Sequence, residues 1–186
     1  MQHSLSTQPI LYPKSNTRWS PDRRYRYFLR RPWHEQVTQG FADMTIMSED
    51  RPPIAFLLLN PSTADEIKDD PTVARCRRFA VAWGYGEVLI LNAFAFRATD
   101  PMDMKQASDP VGPQNDQIIL ESLKAVNCLG GQIVCGWGNH GKHQKRGLAL
   151  RTLLAGHKGV KCFPVTKQGE PGHPLYLKNS VALCSL

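Results

Sequence analysis

Four short polar stretches carry side chains able to move a proton or read a heterocycle: Asn60-Pro61-Ser62-Thr63, Asn92, Asn139-His140-Gly141 and His173-Pro174. Asparagine offers two donors and an acceptor but cannot take up a proton, whereas histidine titrates near neutrality. Carboxylates that could act as a base gather after the first stretch, at Asp65, Asp69 and Asp70, with Asp100 further on. Asp70 precedes Pro71, the pairing expected at a helix N-cap, so it has a purely structural reading beside the chemical one. Ser62 lacks the Gly-x-Ser-x-Gly frame of a nucleophile elbow. His140 and His143 lie one helical turn apart with no cysteine or carboxylate at matching spacing, so no metal site is expected.

Each polar stretch follows an apolar run of strand length, at residues 54–59, 88–91, 133–137 and 160–164. Continuous apolar runs of this length belong to strands buried on both faces. Helical spacing fills the gaps between them. Val73, Cys76, Phe79, Ala80 and Trp83 recur after the Asp70-Pro71 cap, with Gly84 and Gly86 closing that helix. Ile119, Leu120, Leu123 and Val126 stripe a helix over residues 113–126, and a further helix is expected over 142–154. Residues 93–112 read as a long, turn-rich loop, and loops of that length inside a domain tend to be functional. The alternation predicts an α/β fold with three α/β/α layers around a mainly four-stranded parallel sheet. In such a sheet all four polar stretches fall on the edge where strands end and helices begin, which makes one composite site. Asn60 is therefore expected to be an active-site residue.

Residues 1–22 read as a polar N-terminal arm and 23–186 as a single domain. Residues 25–31 look like an edge strand, and 41–47 like a partner strand. The length suits one domain. No apolar run approaches a transmembrane span, and the first residues do not read as a signal peptide, so a cytoplasmic monomer without membrane contact is expected. Five cysteines with no Cys-x-x-Cys pair argue for a reducing compartment. The formal charge of +7 suits an anionic partner. Its arginines cluster at 18–31, interleaved with Trp19, Tyr25 and Tyr27, and again at 75–78, with Lys142, Lys145, Arg146 and Arg151 as a third group. Each cluster reads equally as a solvated face.

The ordered motifs over residues 54–177 resemble those of the uracil-DNA glycosylase superfamily. Leu58-Leu59-Asn60-Pro61-Ser62 is similar to the motif that positions the attacking water, and Leu91-Asn92 to the strand end that reads a flipped base. Trp137-Gly138-Asn139-His140 is similar to the segment after the third strand. His173-Pro174-Leu175 is similar to the His-Pro-Ser motif, which stabilises the leaving base and enters the DNA minor groove. The whole chain also resembles a bacterial and phage family of unassigned function, through Asn60–Asp65, Arg97–Pro101 and His173–Tyr176.

The superfamily resemblance implies a DNA glycosylase that leaves an abasic site, acts on double- or single-stranded DNA and needs no cofactor. Asn60, His173 and Asp70 would be catalytic, and Asn92, Ser62, Pro61 and Phe94 would bind the base, with Phe79 and Phe96 as other stacking candidates. Asn139, His140, Lys142, Arg97, Pro174 and Leu175 would contact DNA. Two departures stand out. Ser62 occupies the position at which uracil-specific members place a bulky tyrosine, and Leu175 replaces the serine of the last motif. The first leaves room for a 5-substituted pyrimidine, such as a modified base of phage DNA. Two alternatives stand beside this reading: a hydrolase of free modified nucleosides or nucleotides, and a nucleic-acid-binding module without catalysis.

Overall fold

A computed structural model describes residues 15–32, 51–157 and 159–186. Its centre is a seven-stranded sheet in the order β1-β2-β4-β3-β5-β6-β7. The strands are β1 (Thr17–Trp19), β2 (Arg26–Pro32), β3 (Pro53–Leu58), β4 (Glu87–Asn92), β5 (Gln132–Cys135), β6 (Val160–Cys162) and β7 (Cys184–Ser185). β4, β3, β5 and β6 run parallel to one another, as the alternation predicts. β2 lies antiparallel against β4, β1 against β2, and β7 against β6.

The two faces follow from strand alternation. Ala55, Leu57, Leu89 and Leu91 point to one face and pack on α3 (Asn115–Cys128) and α4 (Arg146–Leu154) through Ile119, Leu123, Val126 and Leu150. Ile54, Phe56, Val88 and Ile90 point to the other and meet α1 (Pro71–Ala82) through Val73, Cys76, Phe79 and Ala80. Each large apolar side chain buried in this way contributes roughly 1.5–3 kcal/mol. On the α1 face, Phe56, Phe79, Trp83 and Phe163 form one aromatic cluster, with ring centroids 5.1–6.3 Å apart.

Several expectations change. The strand at 25–31 is not an edge, because β1 covers it; Thr17–Trp19 thus belongs to the sheet rather than to a separate arm. The expected strand at 41–47 lies outside the described residues. The 93–112 loop contains a helix, α2 (Pro101–Gln106), whose first turn is capped by Asp100 accepting from the Met102 N–H at 2.8 Å. Asp100-Pro101 is the same cap signature as Asp70-Pro71, so the signal is present in the residues. Residues Asn139–Lys145 hold short 3-10 turns separated by a kink with non-helical backbone at His143 and Gln144, and α4 begins only at Arg146.

Several of the clustered arginines form ion pairs within the molecule. Arg30 pairs with Glu87 at 2.7 Å, Arg31 and Arg77 both pair with Asp69, and Arg23 pairs with Glu66. Arg146, buried at the start of α4, pairs with Asp116 of α3 and donates to the Ala93 carbonyl at 2.7 Å, tying two helices to the end of β4. This pairing redistributes the positive charge without changing the formal net charge of +7.

The turn that leads into β5 brings two backbone carbonyls against a glycine. A Cβ on Gly131 would stand 2.4 Å from the Pro53 carbonyl and 2.9 Å from that of Val126, and neither backbone atom can swing aside. Gly131→Ala is expected to lower stability by about 1–3 kcal/mol in urea denaturation, since the strain resembles core overpacking. An unchanged midpoint would contradict this packing.

Candidate functional site

A cavity of about 450 Å³ opens at the C-terminal ends of the parallel strands, within the roughly 300–1,000 Å³ range typical of small-molecule sites. Asn60 reaches it from the end of β3, Asn92 from the end of β4, Asn139 and His140 from the turn after β5, and His173 from the loop after β6. Ser62 and Leu175 also line it. The parallel sheet thus delivers all four polar stretches to one concavity.

The amide of Asn60 is held from one side. Its Nδ2 donates to the carbonyls of Ala98 at 2.8 Å and Pro61 at 3.0 Å, which leaves Oδ1 as the atom available to a ligand or water. Asn92 is 1% exposed, and its Nδ2 is a buried donor with no partner among the described residues. Such a donor costs about 1–3 kcal/mol when left unpaired, which is recovered when a ligand acceptor arrives. Asn115 braces the same strand end by donating to the Asn92 carbonyl at 3.0 Å.

Asp70 is the only carboxylate among the described residues that line the cavity. Its Oδ1 caps α1 by accepting from the Val73 N–H at 2.9 Å, so the structural and the chemical reading hold together: one oxygen caps, the other stays uncommitted. The competing carboxylates are occupied elsewhere. Asp65 braces its own turn by accepting from Ile67 and Lys68, Asp69 is shared by two arginines, and Asp100 caps α2.

His173 begins a 3-10 turn, Pro174–Tyr176, and its Nδ1 accepts from the Leu175 N–H at 3.4 Å. That bond places the ring proton on Nε2 and makes the imidazole a donor. Burial, against the opposing pull of Asp70 and reinforced by His140, lowers its pKa to about 4. His173 is therefore a neutral hydrogen-bond donor at pH 7, not an acid. Burial and nearby Lys105 also lower the pKa of His140.

The aromatic expectations fail for a packing reason. Phe94 is fully buried in the α3-face core, Phe79 lies in the aromatic cluster under α1, and Phe96 packs edge-on against Tyr25; none lines the cavity. Trp137 and Tyr176 take that place. Trp137 is fully buried, and its Nε1 donates to Glu170 at 2.7 Å. Gly141 lies so close that a Cβ there would meet the indole at 2.1 Å. The signal for this aromatic wall lies in the tryptophan of the Trp137–His140 stretch itself, beside the polar residues that the motif emphasises.

Of the proposed DNA contacts, Asn139 and His140 lie at the cavity, with Asn139 Oδ1 accepting from Thr166 at 2.6 Å. Arg97 and Lys142 are exposed but do not line it, and Arg97 donates to the Ser62 carbonyl at 3.1 Å. Pro61 and Pro174 are buried outside the lining and shape their turns. Leu175 and Tyr176 protrude, Tyr176 being 86% exposed. The residue that sequence reasoning misses altogether is Arg26, which lines the cavity from β2 while 1% exposed. No group of three or more potential metal ligands occurs among the described residues.

The neutral state of His173 is directly measurable. An unfolded histidine near 6.5 takes up a proton that the folded one refuses until about 4, so this side chain favours folding above pH 6.5 and progressively loses that contribution as the pH falls to 4. In an NMR titration the His173 ring signals are expected to stay still from pH 7.5 to about 5 and to move near 4. A midpoint at about 6–7 would contradict the burial described.

No curated protein matches this chain, and neither does any solved structure. A family model covers residues 26–175, from the buried Arg26 to the protruding Leu175, and so spans every side chain placed at the cavity except Tyr176. The chain belongs to DUF1643, a family described as a protein of unknown function.

Proposed function

We propose that this chain is a DNA glycosylase of the uracil-DNA glycosylase type, hydrolysing the N-glycosidic bond of a modified base. The observation that carries this reading is the company kept in one cavity: a neutral histidine donor, one carboxylate, an amide with a free acceptor and a buried amide with a free donor. Base excision asks for that set. A water held by Asn60 Oδ1 attacks C1′ of the sugar and gives up a proton to the uncommitted oxygen of Asp70. The C1′–N bond breaks with its electron pair leaving on the base. Nε2–H of His173 donates to the base oxygen on which negative charge develops, and Asn92 Nδ2 donates to an acceptor on the base edge. Tyr176, which is exposed at the cavity, offers a ring face to an extruded base, and the buried Trp137 backs the cavity wall.

A cavity of about 450 Å³ whose lining includes neither Arg97 nor Lys142 favours a second reading, a hydrolase of free modified nucleosides. That enzyme needs the same pocket but no phosphate track. Salt separates the two. Cleavage of DNA that relies on even two phosphate contacts loses about tenfold between roughly 50 and 200 mM salt, whereas nucleoside hydrolysis is indifferent.

The test incubates the protein with DNAs containing uracil, 5-hydroxymethyluracil, 5-hydroxymethylcytosine, its glucosylated form or a mismatch, and scores alkali-labile abasic sites. One modified base is expected to be released, and Asp70→Asn, which preserves the helix cap, is expected to slow release by about 10²–10⁴-fold. Full activity in that variant would remove Asp70 from the chemistry, and the absence of abasic sites on every DNA would remove the glycosylase. Ser62→Tyr should suppress release of bulky 5-substituted bases more than that of uracil. Equal rates before and after the substitution would show that Ser62 does not face the base.

A further inference from the structure

The site has a feature that base hydrolysis alone leaves unused. Three arginines are buried among the described residues, and two are fully engaged. Arg146, 5% exposed, commits Nε to the Ala93 carbonyl and both terminal nitrogens to Asp116. Arg31 pairs with Asp69 through Nε and spends its terminal nitrogens on carbonyls. Arg26 is more deeply buried than either, yet among the described residues its guanidinium makes a single hydrogen bond, from Nη1 to the Ala64 carbonyl at 2.7 Å. Its Nε is a buried donor with no partner, and no ion pair to it forms among the described residues.

The free nitrogens, Nε and Nη2, form the edge of the guanidinium that can donate to two coplanar oxygens. Burial lowers the pKa of Arg26 to about 10, so it stays charged at neutral pH. Asp70 is close enough to favour that charge but forms no ion pair with it. The bond to Ala64 holds the guanidinium beside the 62–64 turn, and Ser62 lines the same cavity. Asn92, also with an unpartnered buried donor, shares that cavity.

We propose that Arg26 is a specificity-determining residue and that the substrate base carries an anionic, carboxylate-type substituent received by its Nε/Nη2 edge. This rests on the reading of the cavity as a base pocket and narrows it. Asn92 meets an acceptor of the ring, while Arg26 meets an oxygen pair projecting from it toward Ser62. An apolar substituent of the same size would leave the buried charge unpaired and is selected against. Arg26 acts on which base is bound, not on the bond that breaks.

The test is calorimetric titration of the full chain with three probes: 5-carboxyuracil, thymine and benzoate. Wild type is expected to bind 5-carboxyuracil roughly 10- to 100-fold more tightly than thymine, the span that one bidentate pair provides. Arg26→Lys keeps the charge but loses the fork, and it should erase most of the preference for 5-carboxyuracil over thymine. Arg26→Gln should erase all of it. Thermal melting shows whether each variant is folded, and the wild-type comparison stands even where a variant is not. Equal affinity of wild type for 5-carboxyuracil and thymine overturns the role of Arg26 and leaves the base pocket standing. Benzoate binding as tightly as 5-carboxyuracil overturns the base pocket and leaves an anion site. No binding of any probe overturns both.

Discussion

The site depends on strands with apolar interiors: β3 is apolar throughout, and β4 carries polar side chains only at its two ends, Glu87 and Asn92. β3 and β4 are buried by helices on both faces, and β4 lies between β2 and β3, so neither presents an edge to water. A polar group can enter such a sheet only where a strand stops. Because the four central strands are parallel, their stops coincide, and Asn60, Asn92, Asn139 and His173 are pressed into one cavity by hydrophobic burial rather than by attraction for one another. The same geometry sets their chemistry. Each polar group at the cavity floor is bordered by apolar strand residues such as Leu58 and Ile90, which keeps His173 neutral and leaves Asn92 and Arg26 with donors that no acceptor among the described residues satisfies.

Asp70 shows how one residue serves fold and site together. Its cap fixes the first turn of α1, and α1 carries the side chains that close the sheet face beneath. The cap also orients the carboxylate, so the remaining oxygen is positioned by helix formation itself. A cap of this kind contributes about 1 kcal/mol, which is modest for stability. As a means of holding a charged group still beside a ligand it is worth more, because little side-chain freedom remains to be lost on binding.

Much of this architecture is legible in the residues themselves. The apolar runs ending in Asn60 and Asn92 announce parallel strands, and Asp70-Pro71 announces the helix that follows. The features that are not legible have physical causes in common. The short helix after Asp100 carries too few apolar positions to show a period, although its cap is plain. Phe94 resembles a ligand contact because it follows a strand end, yet two residues beyond Asn92 the chain has left the strand and its side chain sits in the core. Arg26 looks like its charged neighbours at 23–31, since nothing in composition distinguishes an arginine paired with Glu87 from one left unpaired in a cavity. Pairing is a property of tertiary placement, and the net charge of the chain conceals it.

The central claim is that this cavity holds a nucleobase against the amide at the end of β4. The direct measurement is the Nδ2 resonance of Asn92 in a ¹⁵N-labelled sample titrated with an oligonucleotide carrying the base released in the abasic-site assay. That signal is predicted to move saturably downfield as its protons gain an acceptor, together with shifts at Asn60 and His173 and little change on the distant face of α3. Saturable binding that leaves the Asn92 side-chain amide where it was would contradict the account.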